Sequence, residues 1–82
     1  MYILKSDKDE KLYIGSTSDL RRRFKEHNAG LVESTKSRKP LKLVYYECYA
    51  SEDDARHREH NLKLRARALR QLLIRIKKSI SL

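Results

Sequence analysis

Short apolar runs separated by polar stretches dominate the first half of the chain and predict three strands. Residues 2–4 and 12–14 are apolar or aromatic, and the polar stretch between them is typical of a hairpin loop. Residues 41–49 contain a longer apolar run with little alternation, which favours a well-buried strand. The pattern therefore predicts a hairpin followed, after an interval, by a third strand.

Helical spacing replaces this pattern between the second and third strands. Ser18 or Asp19 is suited to cap a helix that runs to about Asn28, and Gly30 lies where a helix commonly stops. The sequence therefore predicts one helix in this interval, followed by a basic loop that ends at Pro40.

From Ala55 onward the apolar positions keep helical phase to the end of the chain. A single helix of this length would measure about 40 Å at ~1.5 Å per residue. A compact chain of this size has a radius of gyration of only about 12 Å, so such a helix would project beyond the fold. We therefore predict a break near Leu62 to Arg65, which gives two helices.

The chain is short and strongly basic. Its 82 residues have room for one domain, predicted to span residues 1–82, which excludes a multidomain enzyme. Because 20 Lys and Arg face 11 Asp and Glu, the net charge is +9 and a polyanion is the expected partner. Nucleic acid is the commonest such partner, while an acidic protein and an anionic membrane surface are the alternatives.

Cys48 is the single cysteine, which excludes an intramolecular disulfide and a cysteine-clustered zinc site, and we interpret it as a small core residue. A lone cysteine also suits a reducing compartment. No apolar run approaches ~18 residues, and the first residues lack the pattern of a signal peptide. The sequence thus predicts a cytoplasmic protein without a membrane span.

Two polar residues of the first predicted helix lie beside its apolar stripe. Leu20 and Phe24 define that stripe, and helical spacing places Arg23 and His27 next to it. The other basic residues of this helix are predicted to point outward: Arg21, Arg22 and Lys25. Arg23 either lies along the core edge with its charge in water or binds a phosphate, and His27 either is a satisfied buried histidine or belongs to the same site.

Glu59 shares a helix face with Ala55 and Leu62, where an apolar residue is expected. A buried carboxylate is costly unless it is paired or bound to a metal. One interpretation is an ion pair with Arg23 or another basic group. The other is a magnesium site, because Mg²⁺ keeps several waters and shares substrate phosphate oxygens, so one carboxylate is enough to anchor it.

An ordered set of residues resembles a known family. The set comprises Tyr2, the run Tyr13-Ile14-Gly15, Arg23, His27 and Glu59, with further matches at Asn28, Gly30, Leu43-Val44-Tyr45-Tyr46-Glu47 and Arg58. In this order and at these spacings the chain resembles the GIY-YIG endonuclease superfamily, and most closely its small stand-alone bacterial members. The resemblance covers nearly the whole chain. It implies an α+β fold in which a three-stranded antiparallel sheet is flanked by about three helices, in the order β-β-α-β-α-α.

The same resemblance implies a metal-dependent endonuclease that hydrolyses phosphodiester bonds. Tyr2 would be the general base or order the attacking water, and Tyr13 would assist it. Arg23 would bind the scissile phosphate, while Glu59 would hold one Mg²⁺ or Mn²⁺ ion. His27 would orient Tyr2 or contact the phosphate.

One feature departs from the family pattern. The first family motif normally has Gly-Ile before the tyrosine, whereas only Met1 precedes Tyr2 here. Because chain ends fray, Tyr2 could be held too loosely for catalysis. Either neighbouring strands pin it, or the chain is a non-catalytic nucleic-acid-binding module on the same scaffold.

Basic residues in the loop and in the C-terminal half are the predicted contacts to DNA phosphates: Lys36, Arg38, Lys39, Lys63, Arg67 and Arg70. A plain solubility role for some of them is the alternative. No base-reading module is present, so we expect little sequence specificity. Branched or damaged DNA in repair or recombination is the expected substrate, and an unidentified protein could supply targeting.

We make two further predictions, one for the tyrosines in and after the third strand and one for two histidines of the helix that follows. Three tyrosines are interpreted as core and strand packing rather than base-stacking platforms: Tyr45, Tyr46 and Tyr49. His57 and His60 are spaced for metal binding on a helix, but no third ligand is evident, so we expect them on a solvated face.

Overall fold

The computed structural model describes residues 1–82 and contains a three-stranded sheet with helices packed on it. The elements are β1 (Tyr2–Ser6), β2 (Leu12–Gly15), α1 (Leu20–Asn28), a 3₁₀ turn (Lys36–Arg38), β3 (Leu41–Tyr46), α2 (Glu52–Leu64), α3 (Ala66–Arg75) and α4 (Lys77–Ile80). This α+β arrangement confirms the predicted order of strands and helices and adds a short fourth helix. None of the helices has the length and hydrophobicity needed to cross a lipid bilayer.

The first strand lies at the centre of the antiparallel sheet, whose strand order is β2-β1-β3. Tyr2 pairs with Gly15 on one side and with Tyr46 on the other. The Met1 ammonium and carbonyl groups both bond to the backbone of Glu47, at 3.1 and 2.8 Å. Tyr2 is consequently 2% exposed, and its strand is pinned on both sides by its neighbours.

The two faces of the sheet carry separate apolar clusters, because successive side chains of a strand point to opposite faces. Ile3 packs with Leu62 and Leu72 beneath the C-terminal helices. Tyr2 and Leu4 face the other way and pack with residues of α1. Helix α1 therefore covers one face of the sheet, and helices α2 to α4 cover the other.

Helix α1 is fixed at both ends. Asp19 caps its start by accepting a hydrogen bond from the Arg22 amide at 3.1 Å. At its end, the Asn28 side chain accepts from the Leu41 amide at 2.7 Å and donates to the Leu41 carbonyl at 2.9 Å. This pair of bonds ties the last turn of α1, which carries His27, to the beginning of β3.

The predicted break in the C-terminal helical segment is present. Arg65 has φ −113° and ψ 96°, so the helix stops between α2 and α3. The break allows Leu62 and Leu72 to enter the same apolar cluster. It also keeps the radius of gyration at 12.3 Å, close to the value expected for a compact chain.

Two sequence-based interpretations of the third strand are wrong. Cys48 is exposed rather than buried. Tyr46 and Tyr49 are 54% and 40% exposed, whereas Tyr45 does pack against the core cluster. The reason is that β3 ends at Tyr46, so Cys48 and Tyr49 lie beyond the sheet, while Tyr46 is its last residue and pairs with Tyr2 but keeps an exposed side chain.

Candidate active site

A buried hydrogen-bonded chain connects three side chains that come from different elements. The Tyr2 hydroxyl lies 2.8 Å from His27 Nε2, and His27 Nδ1 lies 2.7 Å from the Thr35 hydroxyl. His27 and Thr35 are fully buried. Both ring nitrogens of His27 are therefore occupied and shielded, which favours orientation of Tyr2 over a direct phosphate contact by His27.

The direction of these hydrogen bonds is an assignment, because a neutral imidazole donates through one ring nitrogen and accepts through the other. We take Thr35 as the donor to His27 Nδ1, since its hydroxyl makes no other hydrogen bond. Burial, reinforced by the charge of Arg23, lowers the pKa of His27 and keeps the ring neutral. We therefore assign the ring proton to Nε2, which donates it to the Tyr2 oxygen.

Tyr2 is also surrounded by aromatic rings and by the backbone of Gly15. The ring centroids of Tyr13 and His27 are 5.1 Å apart, and that of Tyr2 lies 5.7 Å from His27 and 6.4 Å from Tyr13. A Cβ atom on Gly15 would stand 2.5 Å from the Tyr2 hydroxyl oxygen. Gly15 is thus a glycine because the Tyr2 ring occupies the space of a side chain, a positioning role that the sequence analysis missed although it included this residue in the motif.

A polar pocket of about 400 Å³ opens beside α1 and α2. Its walls contain three arginines and three glutamates: Arg22, Arg23, Arg56, Glu26, Glu52 and Glu59. Arg23 and Glu59 therefore meet in one pocket, as their predicted roles require. Tyr2 does not line it but forms part of an adjoining depression that shares Thr17, Ser18, Glu52 and Ala55 with the pocket.

Glu59 forms the expected ion pair with a basic group, and the partner is Lys63 rather than Arg23. Arg23 does not pair with Glu59; its guanidinium pairs with Glu26 at 3.3 Å, and Glu59 pairs through Oε1 with Lys63, one turn later on α2, at 2.7 Å. The Glu59 side chain is 20% exposed, and its second carboxylate oxygen has no protein partner. Arg23 and Glu59 both keep donors or acceptors available to a ligand.

Arg23 and Tyr2 also influence each other electrostatically. Burial raises the pKa of the Tyr2 hydroxyl, and the nearby Arg23 guanidinium opposes that rise without cancelling it. The same contact raises the pKa of Arg23. Tyr2 is consequently a neutral phenol near pH 7, and additional positive charge is needed for it to lose its proton.

The donor set of the pocket fits a single hydrated divalent cation. No group of three or more His, Cys, Asp or Glu side chains is close enough to form a metal cluster. One accessible carboxylate oxygen on Glu59 is the kind of ligand with which Mg²⁺ is bound when waters and substrate phosphates supply the rest. His57 and His60 lie on the exposed face of α2, as expected, and take no part.

Of the six basic residues expected to contact DNA, three are engaged with acidic side chains. Lys63 pairs with Glu59, Lys36 pairs with Glu33 at 3.1 Å, and Arg38 pairs with Asp9 at 2.7 Å. The Arg38 side chain is only 21% exposed, and its guanidinium braces the hairpin loop through Asp9, so its ion pair opposes the DNA contact that remains predicted for it.

The remaining three of those six residues are exposed and form no ion pair: Lys39, Arg67 and Arg70. None of the six lines the pocket. Arg22 and Arg56, which do line it, were not among the expected contacts. Helical spacing correctly placed Arg22 outward, but only the position of α2 turns that outward side into a pocket wall.

Comparison with known proteins identifies the family. The family model described as the GIY-YIG catalytic domain matches residues 1–72. A UPF0213 protein from Haloquadratum walsbyi is 44% identical over 66 residues, which cover 79% of this chain and 74% of that protein. A UPF0213 protein from Clostridium perfringens is 45% identical over 64 residues, covering 77% and 68%.

A third relative, a UPF0213 protein from Bacillus pumilus, is 38% identical over 74 residues, covering 89% of this chain and 74% of that protein. No solved structure gives a significant match. The chain therefore belongs to the GIY-YIG family, a family of nucleases.

Proposed function

We propose that this chain is a divalent-metal-dependent DNA endonuclease that hydrolyses phosphodiester bonds with little sequence specificity. The observation that carries the proposal is the convergence of Tyr2 from β1, Arg23 from α1 and Glu59 from α2 on adjoining cavities. These side chains supply a phenol, a phosphate ligand and a metal ligand. A metal-dependent phosphoryl-transfer site can use these groups to activate water, to bind the phosphate and to hold the cation.

Arg23 is suited to hold the scissile phosphate. Its guanidinium is only partly occupied by Glu26, and Arg22, which forms no ion pair, adds positive charge to the same walls, whereas Arg56 is paired with Glu52 and Asp53. Charge accumulates on the phosphate oxygens in the transition state, so a fixed guanidinium stabilises that state more than the substrate. A cation such as Mg²⁺ or Mn²⁺ on Glu59 would supply Lewis-acid stabilisation of the leaving oxygen.

Tyr2 is suited to order the attacking water and accept its proton. With the ring proton assigned to Nε2, His27 donates to the Tyr2 oxygen and the Tyr2 proton is directed away from the histidine. The same donor stabilises the phenolate once that proton is lost. Loss of the proton requires the positive charge of Arg23 together with that of a bound cation, because burial otherwise holds the phenol neutral.

The alternative, a non-catalytic binding module, depended on a loosely held Tyr2. Pairing of β1 on both sides and the buried contact with His27 remove that reason. A binding module also has no use for an accessible carboxylate opposite an arginine in a phosphate pocket, because the carboxylate repels DNA. We therefore favour the enzyme.

The test is to incubate the purified chain with labelled linear, supercoiled, single-stranded and branched DNA in Mg²⁺, Mn²⁺ or EDTA. Parallel reactions use Arg23→Ala and Glu59→Ala. The proposal predicts cutting that EDTA abolishes and that both substitutions reduce by at least about a hundredfold. Cutting that survives EDTA or both substitutions would contradict it.

A further inference from the structure

The depression that adjoins the phosphate pocket has a different chemical character. It measures about 240 Å³, and seven of its eleven lining residues are hydrophobic, whereas only one of the ten lining the phosphate pocket is. The two cavities share a wall that includes Thr17 and Ala55. A charged cavity beside a small apolar one matches the two parts of a nucleotide, its phosphate and its base.

Tyr46 and Tyr49 line this depression. They are the two most exposed tyrosines of the chain, and such exposure is unusual for a large aromatic side chain. Tyr46 is the cross-strand partner of Tyr2, so both side chains emerge on the same face of the sheet. Directly paired residues place their Cβ atoms ~5 Å apart. A planar group stacked on Tyr46 therefore lies next to the residue assigned to the attacking water.

The ring of Tyr49 is held in place by a charged network. Its hydroxyl donates to Glu47, which also accepts from Tyr45 at 2.7 Å and from Arg58 at 3.2 Å. Burial alone would raise the pKa of Glu47, but these hydrogen-bond donors keep that pKa below its usual value. An exposed aromatic ring that is already ordered loses little conformational entropy when a ligand stacks on it.

The depression lacks the cationic side chains that a phosphate requires. Glu47 and Glu52 line it, and no lysine or arginine does. Both carboxylates are paired, Glu47 with Arg58 and Glu52 with Arg56, so the lining is close to neutral. A mostly apolar lining with two exposed tyrosines and no cation therefore fits a base better than a phosphate.

We propose that this depression, lined by Tyr46 and Tyr49, binds an unpaired nucleobase next to the phosphate held in the adjoining pocket. This inference rests on the proposed nuclease function and names its substrate class, which is single-stranded DNA or DNA with an unpaired nucleotide beside the cut. A base inside a duplex has both faces covered by its neighbours, so it cannot stack on a tyrosine unless it leaves the helix.

The test compares binding of short single-stranded oligonucleotides that carry one 2-aminopurine or, at the same position, one abasic nucleotide. EDTA is present, so that no cleavage occurs, and the abasic strand keeps every phosphate. The proteins are the full-length chain, Tyr46→Leu, and Tyr46→Phe as the control that keeps the ring. Thermal unfolding checks that each variant is folded.

The proposal predicts that the unmodified chain quenches 2-aminopurine fluorescence and binds the abasic strand about tenfold more weakly. Tyr46→Leu is expected to bind both strands equally, and Tyr46→Phe is expected to retain the preference. Equal binding of the two strands by the unmodified chain, or an unchanged preference in Tyr46→Leu, would overturn the proposal. Sedimentation is run alongside, and a dimer that Tyr46→Leu dissociates while the base preference stays unchanged would assign the depression to a second copy instead.

A cleavage reaction in Mg²⁺ separates this proposal from the nuclease function. If fully paired and unpaired substrates are cut equally well and Tyr46→Leu cuts both normally, the base site is wrong and the nuclease stands. If nothing is cut, the nuclease function is wrong, and the fluorescence experiment still decides whether the base site exists.

Discussion

The Tyr2 hydroxyl and the Nε2 atom of His27 lie 2.8 Å apart, although the two residues are separated by 25 positions in the chain. The contact joins the central strand to the last turn of α1 through the buried layer between them. It fixes the orientation of the phenol and gives its oxygen a hydrogen-bond donor.

Replacement of Tyr2 by Phe keeps the ring and removes the oxygen. We expect the single-turnover cleavage rate to fall about 10²- to 10⁴-fold, which is the usual contribution of a positioned proton-transfer group. The free energy of unfolding should fall by about 1–3 kcal/mol because the His27 donor loses its buried partner. Tyr45→Phe is the control, since Tyr45 bonds Glu47 outside the phosphate pocket. A Tyr2→Phe variant with the full rate would contradict the assignment.

Gly15→Ala tests the close approach of Tyr2 to the neighbouring strand. The added methyl group would stand 2.5 Å from the Tyr2 oxygen, so the phenol must move away from its position. We expect a loss of cleavage rate comparable with that of Tyr2→Phe, measured in the same single-turnover reaction.

Gly30→Ala is the matched control for that substitution. Gly30 has φ +77°, so alanine is strained there and should cost about 1 kcal/mol of stability, but the site lies against the Lys39 side chain and away from Tyr2. Activity of the folded Gly30→Ala protein should match that of the unmodified chain. Equal rates for both alanine variants would mean that Gly15 does not position Tyr2.

Thr35 sets the proton position on His27 according to the hydrogen-bond direction assigned above. Nitrogen NMR of the ring should find the proton of the neutral imidazole on Nε2, facing Tyr2. Thr35→Val leaves Nδ1 without a partner, which should cost about 1–3 kcal/mol of stability and slow cleavage. Thr35→Ser restores the hydroxyl and should recover most of both losses. A ring proton found on Nδ1 in the unmodified chain would refute this direction.

The ion pair between Asp9 and Arg38 should contribute to stability in acid. The Asp9 carboxylate accepts hydrogen bonds from Arg38 and from the Lys11 amide, and these bonds lower the pKa of Asp9 from 3.8 to about 2. The folded pKa lies below the unfolded one, so the contribution is complete above pH 3.8 and is lost as the pH falls through about 2.

Acid unfolding of Asp9→Asn measures this contribution. The variant should be less stable than the unmodified chain above pH 3.8, and the difference should vanish below pH 2. Arg38→Gln should show the same stability defect with little loss of DNA affinity. A large loss of affinity at unchanged stability would restore Arg38 as a DNA contact.

Local pattern was sufficient to predict most of the fold. The alternation of apolar runs located the strands, Asp19 marked the start of α1, and the length of the last apolar series required the break that occurs at Arg65. These features depend mainly on residues that are close together in the chain, so a single sequence is enough to predict them.

Features that depend on pairing between distant segments were not predictable in the same way. Tyr49 looked like a strand residue, but β3 ends at Tyr46, and the Tyr46 side chain is exposed although its backbone pairs with Tyr2. Glu59 had several basic residues within reach, and although Lys63 stands at the i,i+4 helical spacing that favours an ion pair, the sequence analysis named only Arg23. Arg38 pairs with an acid 29 positions away, in a different loop.

The central claim is that Glu59 holds the divalent cation of a phosphodiester-cleaving site, and a Mg²⁺ titration of single-turnover cleavage tests it most directly. Glu59→Gln is compared with Asp54→Asn, which removes the same charge from the same helix outside the pocket and breaks no ion pair. We predict that Asp54→Asn follows the curve of the unmodified chain. Glu59→Gln should need far more Mg²⁺ and reach a maximum at least about a hundredfold lower. A Glu59→Gln protein that cleaves at the full rate and at the same Mg²⁺ concentration would contradict the account.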